Sequence, residues 1–184
     1  IARRLASIEG MPGRFERIDE GQPWTVIVDY APEPESLARL YETLKPLERR
    51  CVIHVLGSAG GGRDIARRPI LGRMAGERAD IVIVTNEDPY DDDPKTIGEQ
   101  MLRGVIATGK KWGKNVFLEL ARRKAISQAL TQAGPEDIVL ITGKGSDQTM
   151  ALSNGKYLPW DDRKGVKEEL AKLTALDNCV IYPP

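Results

Sequence analysis

Four short runs that are apolar on both faces, separated by stretches of helical period, restrict this chain to a narrow set of architectures. They are Trp24–Tyr30, Cys51–Leu56, Ile81–Asn86 and Asp137–Thr142. A half-solvated antiparallel strand alternates apolar with polar residues, whereas a run apolar throughout needs cover on both sides, as in a parallel sheet between helices. The intervening periodicity predicts helices over Glu35–Leu44, Pro69–Arg78 and Pro94–Ala107, and another that ends near Ala133. Arg14–Ile18 and Asn115–Leu118 read as two weaker strands. Residues 149–160 read as a hairpin turning on Asn154-Gly155 in a type I′ turn. Asp161-Asp162-Arg163 then caps a last helix to about Leu173. The fold class is α/β in three layers, with a mostly parallel sheet of about six strands and a C-terminal hairpin. At 184 residues the length suits one domain.

In open α/β sheets ligands bind beyond the carboxyl ends of the strands. Here all four runs end in polar residues or glycine. The last opens into Gly143-Lys144-Gly145-Ser146-Asp147 and the second into Gly57-Ser58-Ala59-Gly60-Gly61-Gly62-Arg63-Asp64. The first ends at Asp29-Tyr30-Ala31 and the third at Glu87-Asp88-Pro89. Arg63 has the forked donor geometry for a carboxylate or phosphate, and the glycines before it suit either a close ligand approach or a solvated surface turn. Asp29 suits a ribose hydroxyl, a metal-bound water or a helix cap. Glu87, Asp88 and Asp147 are candidates to converge as carboxylates on an amine, with solvated loop positions as the alternative.

Bulk properties exclude several classes. Lys plus Arg and Asp plus Glu are each 27, so no net field gathers nucleic acid or an anionic membrane surface. No run of 18 apolar residues exists to span a membrane. The single histidine, His54, lies inside an apolar strand run and reads as a satisfied core residue. One histidine excludes a His-rich metal site and leaves a zinc site and Ser-His-Asp chemistry unsupported. Two cysteines, Cys51 and Cys179, fit a reduced, cytoplasmic compartment, with Cys51 a buried structural thiol.

Gly104-Val105-Ile106-Ala107-Thr108-Gly109-Lys110-Lys111 nearly spells a P-loop. The motif needs Ser or Thr at its last place and a strand before it, and here Lys111 follows a helix. Gly109 therefore reads as a helix C-terminal residue, and the acidic run Asp91-Asp92-Asp93 as a helix N-cap.

Taken together and in this order, several segments resemble the C-terminal domain of the Mur ligases, and among them the branch that adds the third residue of the peptidoglycan stem peptide. They are Pro12-Gly13-Arg14-Phe15-Glu16, Val28-Asp29-Tyr30-Ala31, Gly62-Arg63-Asp64 with Arg68-Pro69, Asp88-Pro89, Gly143-Lys144-Gly145 and Asp161-Asp162-Arg163. The resemblance implies a Rossmann-like domain at 14–184, with 1–13 the end of a preceding central domain and a hinge at Gly10–Gly13. It implies a piece of a longer ligase that uses ATP and Mg2+, the metal ligands lying mainly in the central domain. The partners implied are UDP-N-acetylmuramoyl-dipeptide and a free amino acid, joined through an acyl phosphate. By the same resemblance Arg14 and Asp29 would contact the nucleotide, Arg63 would hold the amino-acid carboxylate, and Asp88, Tyr90, Gly143 and Asp147 would read its side chain. No catalytic residue or metal ligand is expected in this chain itself.

The chain departs from the family pattern at Pro32-Glu33, at Ser146-Asp147 and at Tyr90, where diaminopimelate-adding members carry an arginine. An acidic pocket without that arginine points to lysine or another diamine rather than meso-diaminopimelate. Folylpolyglutamate and cyanophycin synthetases, or a non-catalytic homologue, are the alternative readings.

Overall fold

A computed structural model of the chain describes residues 10–180, with side chains described through 175. The part of the expected domain end that falls on 1–9, and the side chain of Cys179, lie outside the described residues and side chains respectively. Eight strands form along the described chain: β1 (Glu16–Ile18), β2 (Thr25–Asp29), β3 (Val52–Leu56), β4 (Ile81–Val84), β5 (Val116–Leu118), β6 (Ile138–Thr142), β7 (Thr149–Ala151) and β8 (Tyr157–Pro159). The helices are α1 (Pro34–Leu44), α2 (Arg67–Arg78), α3 (Pro94–Ile106), α4 (Arg122–Gln132) and α5 (Asp162–Val180).

The main sheet has the order β1-β2-β6-β3-β4-β5. All its pairings are parallel except β1 on β2, which closes one edge antiparallel with Ile18 opposite Val26. β6 inserts between β2 and β3, with Val26 and Ile53 both in register with Val139. The loops that follow β2, β3, β4 and β6 therefore gather at one edge.

Two cores lie on the two faces. Leu37, Leu40, Tyr41 and Leu44 of α1, Leu71 and Ala75 of α2, and Met101 and Val105 of α3 cover one face. Ala125, Ile126, Ala129 and Leu130 of α4, with Val166 and Leu170 of α5, cover the other. These are the three layers that the apolar runs predict. Helices α2 and α3 cross at glycine. A Cβ at Gly104 would lie 2.0 Å from the Pro69 carbonyl oxygen, and one at Gly72 would lie 2.0 Å from that of Met101.

His54 is the satisfied core histidine the sequence predicts. Its Nδ1 lies 2.6 Å from the Tyr41 hydroxyl and its Nε2 2.9 Å from Thr142 Oγ1. Burial pushes its pKa down to about 3, so the ring is neutral, with one donor and one acceptor to match these partners. Asp93 caps α3, accepting from the amides of Lys95 and Thr96. Gly109, at φ +89, ends that helix as read. Asn154 and Gly155 both take positive φ, as a type I′ turn requires.

Three expectations need adjustment. Cys51 is half-buried rather than buried; burial, with Asp80 and Asp137 nearby, pushes its thiol up to about 11. Helix α2 begins at Arg67, two residues before Pro69, because proline is tolerated in a first helical turn. Helix α5 runs to Val180 rather than Leu173, since no glycine or proline interrupts 174–180.

Candidate functional site

At the carboxyl edge of the sheet a cavity of about 200 Å³ is lined from all four strand-end loops, among them by Tyr30, Arg63, Glu87, Tyr90, Gly143 and Asp147. The loop glycines make it possible. A Cβ at Gly57 would lie 2.8 Å from the Glu87 Cβ, and one at Gly143 would lie 2.2 Å from Glu87 Oε2. Gly143 also takes φ +110, a conformation that other residues rarely adopt. The glycines after β3 and β6 thus admit the Glu87 side chain between them. Gly60 and Gly61 pack on Pro89 and on the Tyr90 ring, and the Gly60 amide donates to the Asp88 carbonyl at 2.8 Å. The glycine loop is therefore docked on the loop after β4 rather than free in solvent.

Glu87 is only 4% exposed, and its Oε2 has no hydrogen-bond partner. Burial pushes its carboxyl up to about 7, against the attraction of Arg122, with Asp88 adding to the rise. Near neutral pH it is poised between acid and carboxylate, ready to be ionised by a bound cation.

Asp88 and Asp147 do converge on an amine, and the amine belongs to the chain. Lys144 Nζ, almost wholly buried, donates to the two Asp88 oxygens at 2.9 and 2.7 Å and to Asp147 Oδ2 at 3.3 Å. Asp88 also accepts from the Ala151 amide at 2.7 Å, which ties the hairpin to the site. The picture of three free carboxylates around an empty ammonium position is thus corrected, since Asp88 is matched from within. Tyr90 stands at φ +51 with its amide bonded to the Ala151 carbonyl, so the hairpin also fixes its backbone.

Arg63 is exposed at the rim and makes no ion pair with a described residue. Arg67, which the sequence reading did not single out, lines the same wall from the first turn of α2 and pairs with Glu33. No local pattern distinguishes it from Arg68, which turns instead to Asp92, Gln100 and the Ala59 carbonyl.

The two residues expected at the nucleotide are placed beside this cavity. The Arg14 guanidinium lies 4.3 Å from the centre of the Tyr30 ring, a cation–π contact. Asp29 is not among the lining residues; its carboxylate accepts from the amides of Phe15 at 2.7 Å and Ala31 at 3.0 Å. It thereby holds Arg14 and Tyr30 together at the sheet edge. Among the described residues no group of three or more His, Cys, Asp and Glu side chains could hold a metal ion.

Behind the cavity a buried clamp sets the strand ends. Arg122 Nε and Nη2 donate to the two Asp162 oxygens, each at 2.7 Å. Nη2 also reaches the Thr142 carbonyl at 2.8 Å, and Nη1 the Asn86 carbonyl at 3.1 Å. Trp160 Nε1 donates to Asp162 at 2.8 Å. The ends of β4 and β6, the hairpin and α5 are held by this one network. Of the three-residue segment expected to cap α5, Asp161 does so through the Arg163 amide, whereas Asp162 turns inward. No helix of the described residues is long and apolar enough to cross a membrane.

Residues 13–145 match the family described as Mur ligase, glutamate ligase domain. The chain is 41% identical over 176 residues to the UDP-N-acetylmuramyl-tripeptide synthetase of Roseiflexus sp. (strain RS-1), covering 94% of this chain and 34% of that protein. It is 42% identical over 163 residues to the UDP-N-acetylmuramoyl-L-alanyl-D-glutamate--2,6-diaminopimelate ligase of Geobacillus kaustophilus (strain HTA426), covering 89% and 32%. A solved structure of a UDP-N-acetylmuramoyl-L-alanyl-D-glutamate--2,6-diaminopimelate ligase superposes with a TM-score of 0.78 at 30% identity, over 94% of this chain and 34% of that one. A folylpolyglutamate synthase of Mycobacterium tuberculosis shares the fold alone, at TM-score 0.54 and 22% identity over 73% of this chain and 30% of that one. The chain spans about a third of the length of the curated relatives it matches.

Proposed function

This chain belongs to the Mur ligase family by its glutamate ligase domain, and on that premise we propose that it is the amino-acid-receiving part of an ATP-dependent ligase of peptidoglycan synthesis. The reaction joins a free amino acid to UDP-N-acetylmuramoyl-dipeptide in the cytoplasm. ATP supplies the phosphoryl group that activates the dipeptide carboxylate as an acyl phosphate. Binding, orientation and exclusion of water around the incoming amino acid are the work of this chain. On the same reading 14–184 would be the domain proper, entered through a hinge at Gly10–Gly13.

The observation that carries the reading is the cavity that joins Arg63, Tyr90, Gly143 and Asp147. Arg63 would hold the α-carboxylate of the amino acid, leaving its amine free to attack. Tyr90, Gly143 and Asp147 would bound its side chain, and Asp88 would act through Lys144 by fixing that wall. Arg14 would meet the nucleotide with Tyr30 stacked beneath it, and Asp29 would serve by holding that pair. Mg2+ would be held mainly by residues of the central domain.

An acidic pocket with tyrosine rather than arginine at position 90 would favour lysine or another diamine, but the pairing of Asp88 with Lys144 removes much of that acidity. The relatives' printed names, which include 2,6-diaminopimelate ligases, lend the preference no support. The test is phosphate release by the full-length protein with ATP, Mg2+, UDP-N-acetylmuramoyl-dipeptide and, singly, lysine, ornithine, meso-diaminopimelate or a neutral amino acid. Stimulation by one amino acid is the expected result. Silence across the panel would overturn the reading in favour of a non-catalytic homologue or another acceptor.

A further inference from the structure

Between Glu99 and Glu119 the chain carries no carboxylate side chain, its longest such stretch, and four cations: Arg103, Lys110, Lys111 and Lys114. None of the four makes an ion pair with a described residue. The whole chain is neutral, but exposed charges act over only about 8 Å at physiological ionic strength, so a local excess is felt locally.

The structure sets these cations among exposed apolar side chains. Residues 111–115 form a closed turn: the Lys111 amide donates to Asn115 Oδ1 at 2.7 Å, and the Lys114 and Asn115 amides donate to the Lys111 carbonyl, each at 3.1 Å. Trp112 stands on this turn between two exposed lysines and is itself 60% exposed. At the end of α3 Ile106 is 48% exposed. Lys110 Nζ donates to the Asp80 carbonyl at 3.0 Å and Thr108 packs on Gly76, which ties the turn to the end of α2. Arg73 and Ile70 extend the surface along α2, Arg73 lining the groove between the two helices. Glu77 is the one acid lining that groove, and the Asp80 carboxylate is taken by the Val52 amide at 2.7 Å.

Cations flanking an exposed indole and isoleucines complement a surface of anionic head groups over apolar chains. Lysines meet the phosphates there, and tryptophan sits at the boundary. A nucleic-acid backbone would answer the lysines and leave Ile70 and Ile106 in water. The place in the fold also suits a large partner. The turn leads into β5 and so lies at the amino edge of the parallel sheet, opposite the cavity.

We propose that the Arg103–Lys114 segment, with Ile70 and Arg73 of α2, docks the protein on an anionic lipid bilayer. Trp112 enters the head-group boundary and the cations face the lipid phosphates. The docking is peripheral and reversible, since a single indole and a few cations hold far less firmly than a spanning helix. It goes beyond the ligase reading and does not depend on it, and it leaves the cavity open to solvent.

Sedimentation of the full-length protein with lipid vesicles tests this. Vesicles of phosphatidylglycerol and phosphatidylcholine should carry the protein down at low salt and release it at high salt. Vesicles of phosphatidylcholine alone should not carry it down. Lys111→Glu with Lys114→Glu should lower the partition coefficient at least about tenfold, as expected for two charges reversed at an anionic surface. Lys124→Glu with Lys156→Glu, the same charge change at exposed positions elsewhere, should lower it far less. Tryptophan emission should shift to the blue on anionic vesicles, and Trp112→Phe should lose the shift while still sedimenting. No binding to anionic vesicles, equal binding to neutral ones, equal losses in the two double variants, or a blue shift that survives in Trp112→Phe would overturn the assignment. Binding to an RNA homopolymer in place of the vesicles would overturn it in favour of nucleic acid.

Discussion

Glu87 is a cavity side chain whose chemistry lies well away from what its residue type suggests. Its carboxyl titrates near 7 when folded and near 4.5 when unfolded, so the folded state holds the proton more tightly. The stability this proton contributes is full below about pH 4.5 and is lost as pH rises through 7, up to roughly 3 kcal/mol. Glu87→Gln should therefore match wild type at pH 4 and exceed it at pH 8, read as the difference between two urea titrations. His54 works in the opposite sense: buried neutral with a pKa near 3, it contributes stability above about 6.5 that is lost toward 3. The paired measurement cancels that contribution. The site at this level was partly legible. Glu87, Asp88 and Asp147 stood out because carboxylates after an apolar strand are conspicuous. Lys144 was hidden because nothing in Gly-Lys-Gly says whether a lysine points out or in. Its partner Asp88 lies 56 residues earlier in the chain.

Helices and strands were the most legible level, because a two-sided apolar run has few other homes. Ends were less so: α5 overruns its expected stop, and α2 starts ahead of its proline. Contacts between elements were not legible at all. Gly72 and Gly104 look like weak points in two helical patterns, yet they are where α2 and α3 touch backbone to backbone. Gly104→Ala should cost about 1–3 kcal/mol despite alanine's better helix propensity, since the Cβ meets a carbonyl that cannot yield. Thermal unfolding would show the loss, and an unchanged midpoint would mean that the helices separate freely. The Arg122–Asp162 clamp makes a second prediction. Asp162→Ala leaves a buried guanidinium uncompensated and should cost about 3–5 kcal/mol. Pairing it with Arg122→Met should recover part of that, because the buried charge is then gone. The recovery will be incomplete, as the Asn86 and Thr142 carbonyls lose their donor.

Across the fold, four loops distant in sequence meet because β6 inserts between β2 and β3. No spacing along the chain announces that insertion, and the strand order is visible only in the structure. The cavity is proposed to receive an amino acid, whereas the near match to a phosphate-binding loop among the described residues ends a helix at Gly109. Purified residues 1–184 should accordingly release no phosphate from ATP, and measurable release would contradict the proposed division of work.

Lys144 has a consequence for selection among free metabolites. An ammonium tethered beside Asp88 is a competitor that never dilutes, present at an effective concentration of about millimolar or more. Any polyamine or basic amino acid drifting into the cavity finds that carboxylate already occupied. The protein thereby shields part of its own acidic surface from the commonest cations of the same shape.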